Sequence, residues 1–176
     1  MGFGHSAQGV QKLCVELVSI IHANFHVAAT VNPERRKSSV YRDFDEHYES
    51  LINTKSIELA VNLRALFDRC GALSNPNPLE QSIRQTTAIS FVEGGGPTTL
   101  RECANKIMHA GYFPFQYGRY DSTGDDGQPF SNQVQEAAVE VSGWHGKEHW
   151  RCKLNLLHFA EEAHFAATEL ESIYGQ

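Results

Sequence analysis

Residues 8–29 repeat apolar side chains at steps of three and four: Val10, Leu13, Cys14, Leu17, Val18, Ile21, Phe25 and Ala28. An α-helix gathers such a series on one stripe, and that stripe has to be covered. The chain must therefore build its core from packed helices before anything else. Pro33 ends the pattern. A second helical pattern runs from about Asp43 to Cys70, with Tyr48, Ile52, Leu59, Leu63, Phe67 and Cys70 near one face and Gly71 as a stop. The two patterns predict an antiparallel helical pair over 8–70. With 176 residues and 41% hydrophobic content, a single domain over 1–176 buries a full core without disulfide or metal.

Thr99 is suited to cap a helix, because Glu102 follows three residues later. The helix it opens, within 98–110, has Leu100, Cys103, Ala104, Ile107 and Met108 as its apolar arc. Before it, Asn75-Pro76-Asn77-Pro78 is turn chemistry, Ala88–Val92 suits an extended segment, and Gly94-Gly95-Gly96-Pro97 breaks regular structure. Residues 111–133 read as a long irregular stretch. From Val134 the period becomes two. Val139 and Val141, then Trp150, Cys152 and Leu154, alternate with polar residues around His145-Gly146-Lys147. This predicts a β-hairpin over 134–155. A last helix spans 156–174, with Leu156, Phe159, Ala160, Ala163, Ala167 and Leu170 as its buried face. The expected fold class is mainly α: a helical bundle with one β-hairpin before the C-terminal helix.

The net charge of −6 opposes a generally basic nucleic-acid binder and leaves room for a local basic site. Cys14, Cys70, Cys103 and Cys152 form no CxxC pair and read as free core thiols of a cytoplasmic protein. The short apolar runs predict no membrane span, and no secretory leader is evident. Paired ligands stand at His22 and His26, at Glu161 and His164, and at His145 and His149. None has the further partners a functional metal centre needs, so no metal or cofactor is expected. The acidic loop Asp121–Gly127 departs from a calcium loop, with Asn132 where a bidentate Glu belongs.

The most specific segment is Leu100-Arg101-Glu102-Cys103-Ala104-Asn105-Lys106-Ile107-Met108-His109-Ala110. Arg101, Asn105 and His109 follow one another at steps of four and form one polar stripe. An arginine can hold a phosphate with forked donors, and a histidine can exchange a proton near neutral pH. This helix resembles the signature helix of the HEPN superfamily, the higher-eukaryote and prokaryote nucleotide-binding domains. It is most similar to a bacterial group with an LRE…NKI.HA helix. Gly146–Leu154 and the helix after it look similar to the tryptophan-bearing hairpin of that group.

The resemblance implies an all-α bundle that commonly dimerises, and in many members a metal-independent ribonuclease of toxin or phage-defence systems. Carried onto this chain, Arg101 would stabilise the phosphate and His109 would act as acid or base, with Asn105 between them. Other members of the superfamily are inactive and bind nucleotides or proteins. Two readings thus stand side by side: an endoribonuclease or RNA-binding module, and a non-catalytic interaction protein with a protein partner. A homodimer is expected in either case. Arg35, Arg36, Lys37 and Arg42 are candidates for RNA backbone contacts. Tyr117 and Arg119, in the aromatic run after the motif helix, are candidates for stacking unpaired bases.

Overall fold

The computed structural model describes residues 6–69, 90–91, 99–111, 113–124 and 126–174. The expected features at Cys70, Gly71, residues 75–78 and residues 94–97 lie outside the described residues. Helices α1 (Ala7–Thr30), α2 (Pro33–Arg36) and α3 (Ser39–Arg69) come first. A two-residue strand β1 (Ser90–Phe91), helix α4 (Leu100–Met108), strands β2 (Phe115–Thr123), β3 (Pro129–His145) and β4 (Glu148–Asn155), and helix α5 (Leu156–Tyr174) follow.

The expected helical bundle with a single hairpin is corrected. The molecule is mixed α/β, mainly helical, with an antiparallel sheet of order β1-β4-β3-β2. The all-α architecture implied by the HEPN resemblance does not describe it. The error lies in residues 111–133, read as irregular. Most of this stretch is strand β2 and the first part of β3, paired from Phe115↔Val139 to Thr123↔Pro129. β2 is an edge strand with mostly exposed or half-buried side chains, so its sequence shows no clean apolar alternation. Backbone pairing holds it, together with Ser122 Oγ donating to Ala29 O at 2.7 Å.

Four of the five described helices, all but α3, begin where a side chain satisfies their first N–H groups. Ser6 accepts from Gly9 N at 3.0 Å. Asn32 accepts from Arg35 N at 2.9 Å, with Pro33 in the first turn. Thr99 accepts from Glu102 N at 3.1 Å. Asn155, the last residue of β4, accepts from Leu157 N and His158 N and so turns the strand directly into α5. Such caps each contribute about 1 kcal/mol.

The predicted stripe of α1 is buried at Val10, Cys14, Leu17, Ile21 and Ala28. It packs on α5 and α3, where Leu59, Leu63, Phe67, Phe159 and Ala163 are also buried. Among the described residues, α1 is the one helix that by length and composition could cross a membrane, which the short apolar runs did not predict. Here its apolar stripe faces the core. The sheet contributes Val139, Val141, Cys152 and Leu154 from one face. Two-residue pairing at His145↔Glu148 leaves Gly146 and Lys147 as the turn. Gly146 has φ +61, the conformation this tight hairpin needs at its first central position.

Candidate functional site

The C-terminal half of α3, helix α4 and the end of the β3–β4 hairpin enclose a cleft of about 600 Å³. Arg64 enters from α3, Glu102, Asn105, Lys106 and His109 from α4, and Trp144 and Trp150 from the hairpin. The α4 residues stand at i, i+3, i+4 and i+7, neighbouring positions on a helix surface. Seven residues of helix turn through about 700°, so Glu102 and His109 nearly align; Arg101 and His109 are offset by about 80°. Arg101 is half-buried and does not line the cleft. Asn105 and His109 do.

The cation beside Asn105 is instead Arg64, whose Nη1 donates to Asn105 Oδ1 at 2.5 Å. Its Nε donates to Asp68 Oδ1 at 3.1 Å. The guanidinium is thereby fixed in orientation, and these two bonds use only part of its five donors. Lys106 extends over the ring of Trp150, with Nζ 4.1 Å from the ring centroid. That contact is a cation–π interaction, about 0.5–1 kcal/mol where water has access. His109 ends α4 with its N–H donating to Asn105 O, and its side chain is exposed.

The floor of the cleft depends on a glycine. Gly143 stands opposite Trp150 in the ladder. A Cβ at Gly143 would lie 2.5 Å from Trp150 Cζ2 and 2.8 Å from His109 O. The indole therefore lies against bare backbone on one side and under Lys106 on the other. Gly111 N donates to Ser142 O at 2.9 Å, tying the end of α4 to the same strand. Beneath the cleft, burial pushes the Cys152 thiol up to about 11, with Lys106 pulling it down and Glu102 pushing it up. Trp144 pairs with His149 on the other face of the hairpin, their rings 4.9 Å apart and edge-on. It is 68% exposed and forms the outer rim of the cleft.

No family model, curated protein or solved structure matches this chain. The site must be read from its own residues.

The other candidate RNA contacts gather at the opposite end of α3. Arg36 makes two hydrogen bonds to Asp45, at 2.6 and 3.2 Å, and a third to Gln133 O. Lys37 pairs with Glu34 at 2.6 Å, Arg35 lies over the Tyr41 ring, and Arg119 pairs with Asp121 at 2.8 Å. The Tyr117 hydroxyl donates to Glu49. From Glu49 to Arg64 is about 22 Å along the helix, so these residues do not join the α4 cleft. Among the described residues, no group of three His, Cys, Asp or Glu could hold a metal ion.

Sequence reasoning missed Arg64, Glu102, Lys106, Trp144 and Trp150 as site residues, Glu102 being read only as a capping partner of Thr99. Lys106 was within reach: counting the helix at i, i+3, i+4 and i+7 from Glu102 collects it. Nothing local marks Arg64 or Trp144, because tertiary packing alone brings them to α4.

Proposed function

We propose that the protein binds single-stranded RNA in the cleft between α3, α4 and the hairpin. The observation that carries this reading is the convergence of Arg64, Lys106 and His109 with two tryptophans in one cleft. A nucleotide offers a planar base and an anionic phosphate a few ångströms apart. Trp144, exposed at the rim, supplies a stacking surface for an unpaired base. Arg64 and Lys106 supply charge-assisted donors to the phosphate. Lys106 also covers the inner indole, so a phosphate that draws it away would open the Trp150 ring to a second base.

The same cleft favours a cutting reaction as a second reading, because a carboxylate and an imidazole both line it. In that reaction Glu102 takes the proton of the ribose 2′-hydroxyl. The 2′-oxygen bonds to phosphorus, and the P–O5′ bond breaks. Protonated His109 gives its proton to the leaving 5′-oxygen. The products are a 2′,3′-cyclic phosphate and a free 5′-hydroxyl. Arg64 holds the charge that develops on the phosphate.

The test is titration of a labelled unpaired oligoribonucleotide in excess chelator. Trp144→Ala and Arg64→Ala are each expected to weaken binding by about tenfold or more, since a stacked base contributes about 1–3 kcal/mol. Affinity is expected to fall as salt rises. Wild-type affinity in both variants would refute the binding site. Product analysis of the same samples decides the second reading: cleavage lost in both Glu102→Gln and His109→Ala supports it, and an intact substrate with wild-type protein refutes it.

A further inference from the structure

A second cleft, of about 340 Å³, lies at the other end of α3 and is lined by polar groups. Arg36, Asp45, Tyr48 and Glu49 approach from the helices, and Tyr117 and Gln135 from the sheet. Tyr117 and Gln135 are direct partners across β2 and β3, so their side chains share a face. Three amides are buried near this cleft: Asn24, Asn132 and Gln135. Asn24 Nδ2 donates to Gln135 O at 3.0 Å. Asn132 Nδ2 donates to Ala28 O and Val31 O, both at 2.8 Å, and closes the C-terminus of α1. Both have a structural task. Gln135 is 4% exposed, and its Nε2 has no hydrogen-bond partner among the described residues.

Buried amides almost always find a partner, and a methionine would fill this space without an orphan donor. The rest of the lining says what the partner should carry. Arg36 is committed to Asp45. Glu49 accepts from Tyr117, and a carboxylate has further acceptor positions. One cation against two carboxylates leaves a local excess of negative charge, which repels anions. Burial pushes the Tyr48 hydroxyl up, and burial with Glu49 nearby pushes Tyr117 up to about 12, so both stay neutral donors.

We propose that this cleft binds a small uncharged molecule with an amide or lactam edge. Its carbonyl accepts from Gln135 Nε2, and its adjacent N–H donates to Glu49. The site is independent of the RNA cleft, about 22 Å away along α3.

The test uses the full chain, labelled with ¹⁵N, and follows the Gln135 side-chain amide signal. Nicotinamide and uracil are the probes, and nicotinate is the anionic isostere of nicotinamide. A saturable shift with nicotinamide or uracil is expected, with nicotinate at least about tenfold weaker. Gln135→Met should fold at least as stably as wild type and bind the effective probe about tenfold more weakly. Glu49→Gln changes an exposed position and should weaken the same probe. Failure of both probes to give a saturable shift overturns the proposal. So does equal binding of nicotinate, or unchanged affinity in Glu49→Gln. A less stable Gln135→Met that still binds the probe would mark Gln135 as structural and overturn it as well.

Discussion

Gly143→Ala is the sharpest probe of the α4 cleft, because it adds one methyl where the structure has no room. The new Cβ would stand 2.5 Å from Trp150 Cζ2, 2.9 Å from Trp150 Cε2 and 2.8 Å from His109 O. Ordinary carbon contacts are about 3.5–4.0 Å, so the indole must retreat by about 1 Å. Its retreat runs into Lys106, whose ammonium is 4.1 Å from the ring centroid on the covered side. His109 O is backbone at the end of α4 and moves only with the helix. Overpacking of this kind costs about 1–3 kcal/mol. Lower freedom of the unfolded chain returns about 0.4–1 kcal/mol. The net loss is about 1–2 kcal/mol. With a urea slope of about 2 kcal/mol per molar, the midpoint should fall by about 0.5–1 M. A Trp144→Phe background leaves Trp150 as the sole tryptophan, since the chain has two. Its emission should shift toward the red in Gly143→Ala as the ring leaves its bed. An unchanged or raised midpoint with an unchanged spectrum would refute the close packing on which the cleft's floor depends.

Further outcomes follow from other parts of the fold. Asn132→Ala orphans the buried carbonyls of Ala28 and Val31, each held at 2.8 Å, and should cost about 2–4 kcal/mol in urea unfolding. A loss below 0.5 kcal/mol would show that the α1 terminus is capped in another way. In a Cys70→Ser variant, the thiols of Cys14, Cys103 and Cys152 should be silent to a thiol reagent at pH 8 until the protein unfolds. All three are buried, and burial holds Cys14 at about 12 and Cys152 at about 11; a fast native reaction would contradict that burial. Lys55, 2.9 Å from both Glu16 and Glu58, holds the Glu16 carboxyl below its ordinary value. Its stabilising share is therefore present above the unfolded carboxylate value and fades as pH falls through the lower folded one. Lys55→Met should flatten the acid limb of the urea midpoint against pH, and an unaltered limb would rule the pair out as its source.

What could be read from the sequence tracks how each element is stabilised. α1 and α5 bury a continuous stripe, so the identity of their residues announces the helix. β3 and β4 bury one face where Val139, Val141, Cys152 and Leu154 meet, and that half of the sheet is visible as a period of two. β2 is different. Its backbone hydrogen bonds to β3 and its attachments to α1 hold it, and neither depends on a run of apolar side chains. Asn132, expected only as a misfit in a calcium loop, is the residue that joins β3 to the end of α1. No local pattern separates such an amide from a surface one.

The α4 cleft shows the same division between what is local and what is tertiary. Asn105 and His109 were found because one helix displays them together. Arg101 belongs to the same stripe by its steps of four, but a drift of about 40° per step adds up to about 80° by His109, and Arg101 does not line the cleft. The cation that meets Asn105 is supplied by Arg64, 41 residues earlier. The hairpin supplies the aromatic surfaces, and Gly143 lets one of them lie against the strand. Two local rules are broken here at once: a large indole is left exposed, and a glycine interrupts a strand. Each costs stability if folding is the only task. A stability-only sequence would place a polar residue at 144. Replacing Trp144 with Thr should therefore leave the urea midpoint unchanged or higher while RNA affinity falls. A midpoint that drops with Trp144→Thr would assign the indole to the fold and remove the strongest structural reason for treating this cleft as a binding site.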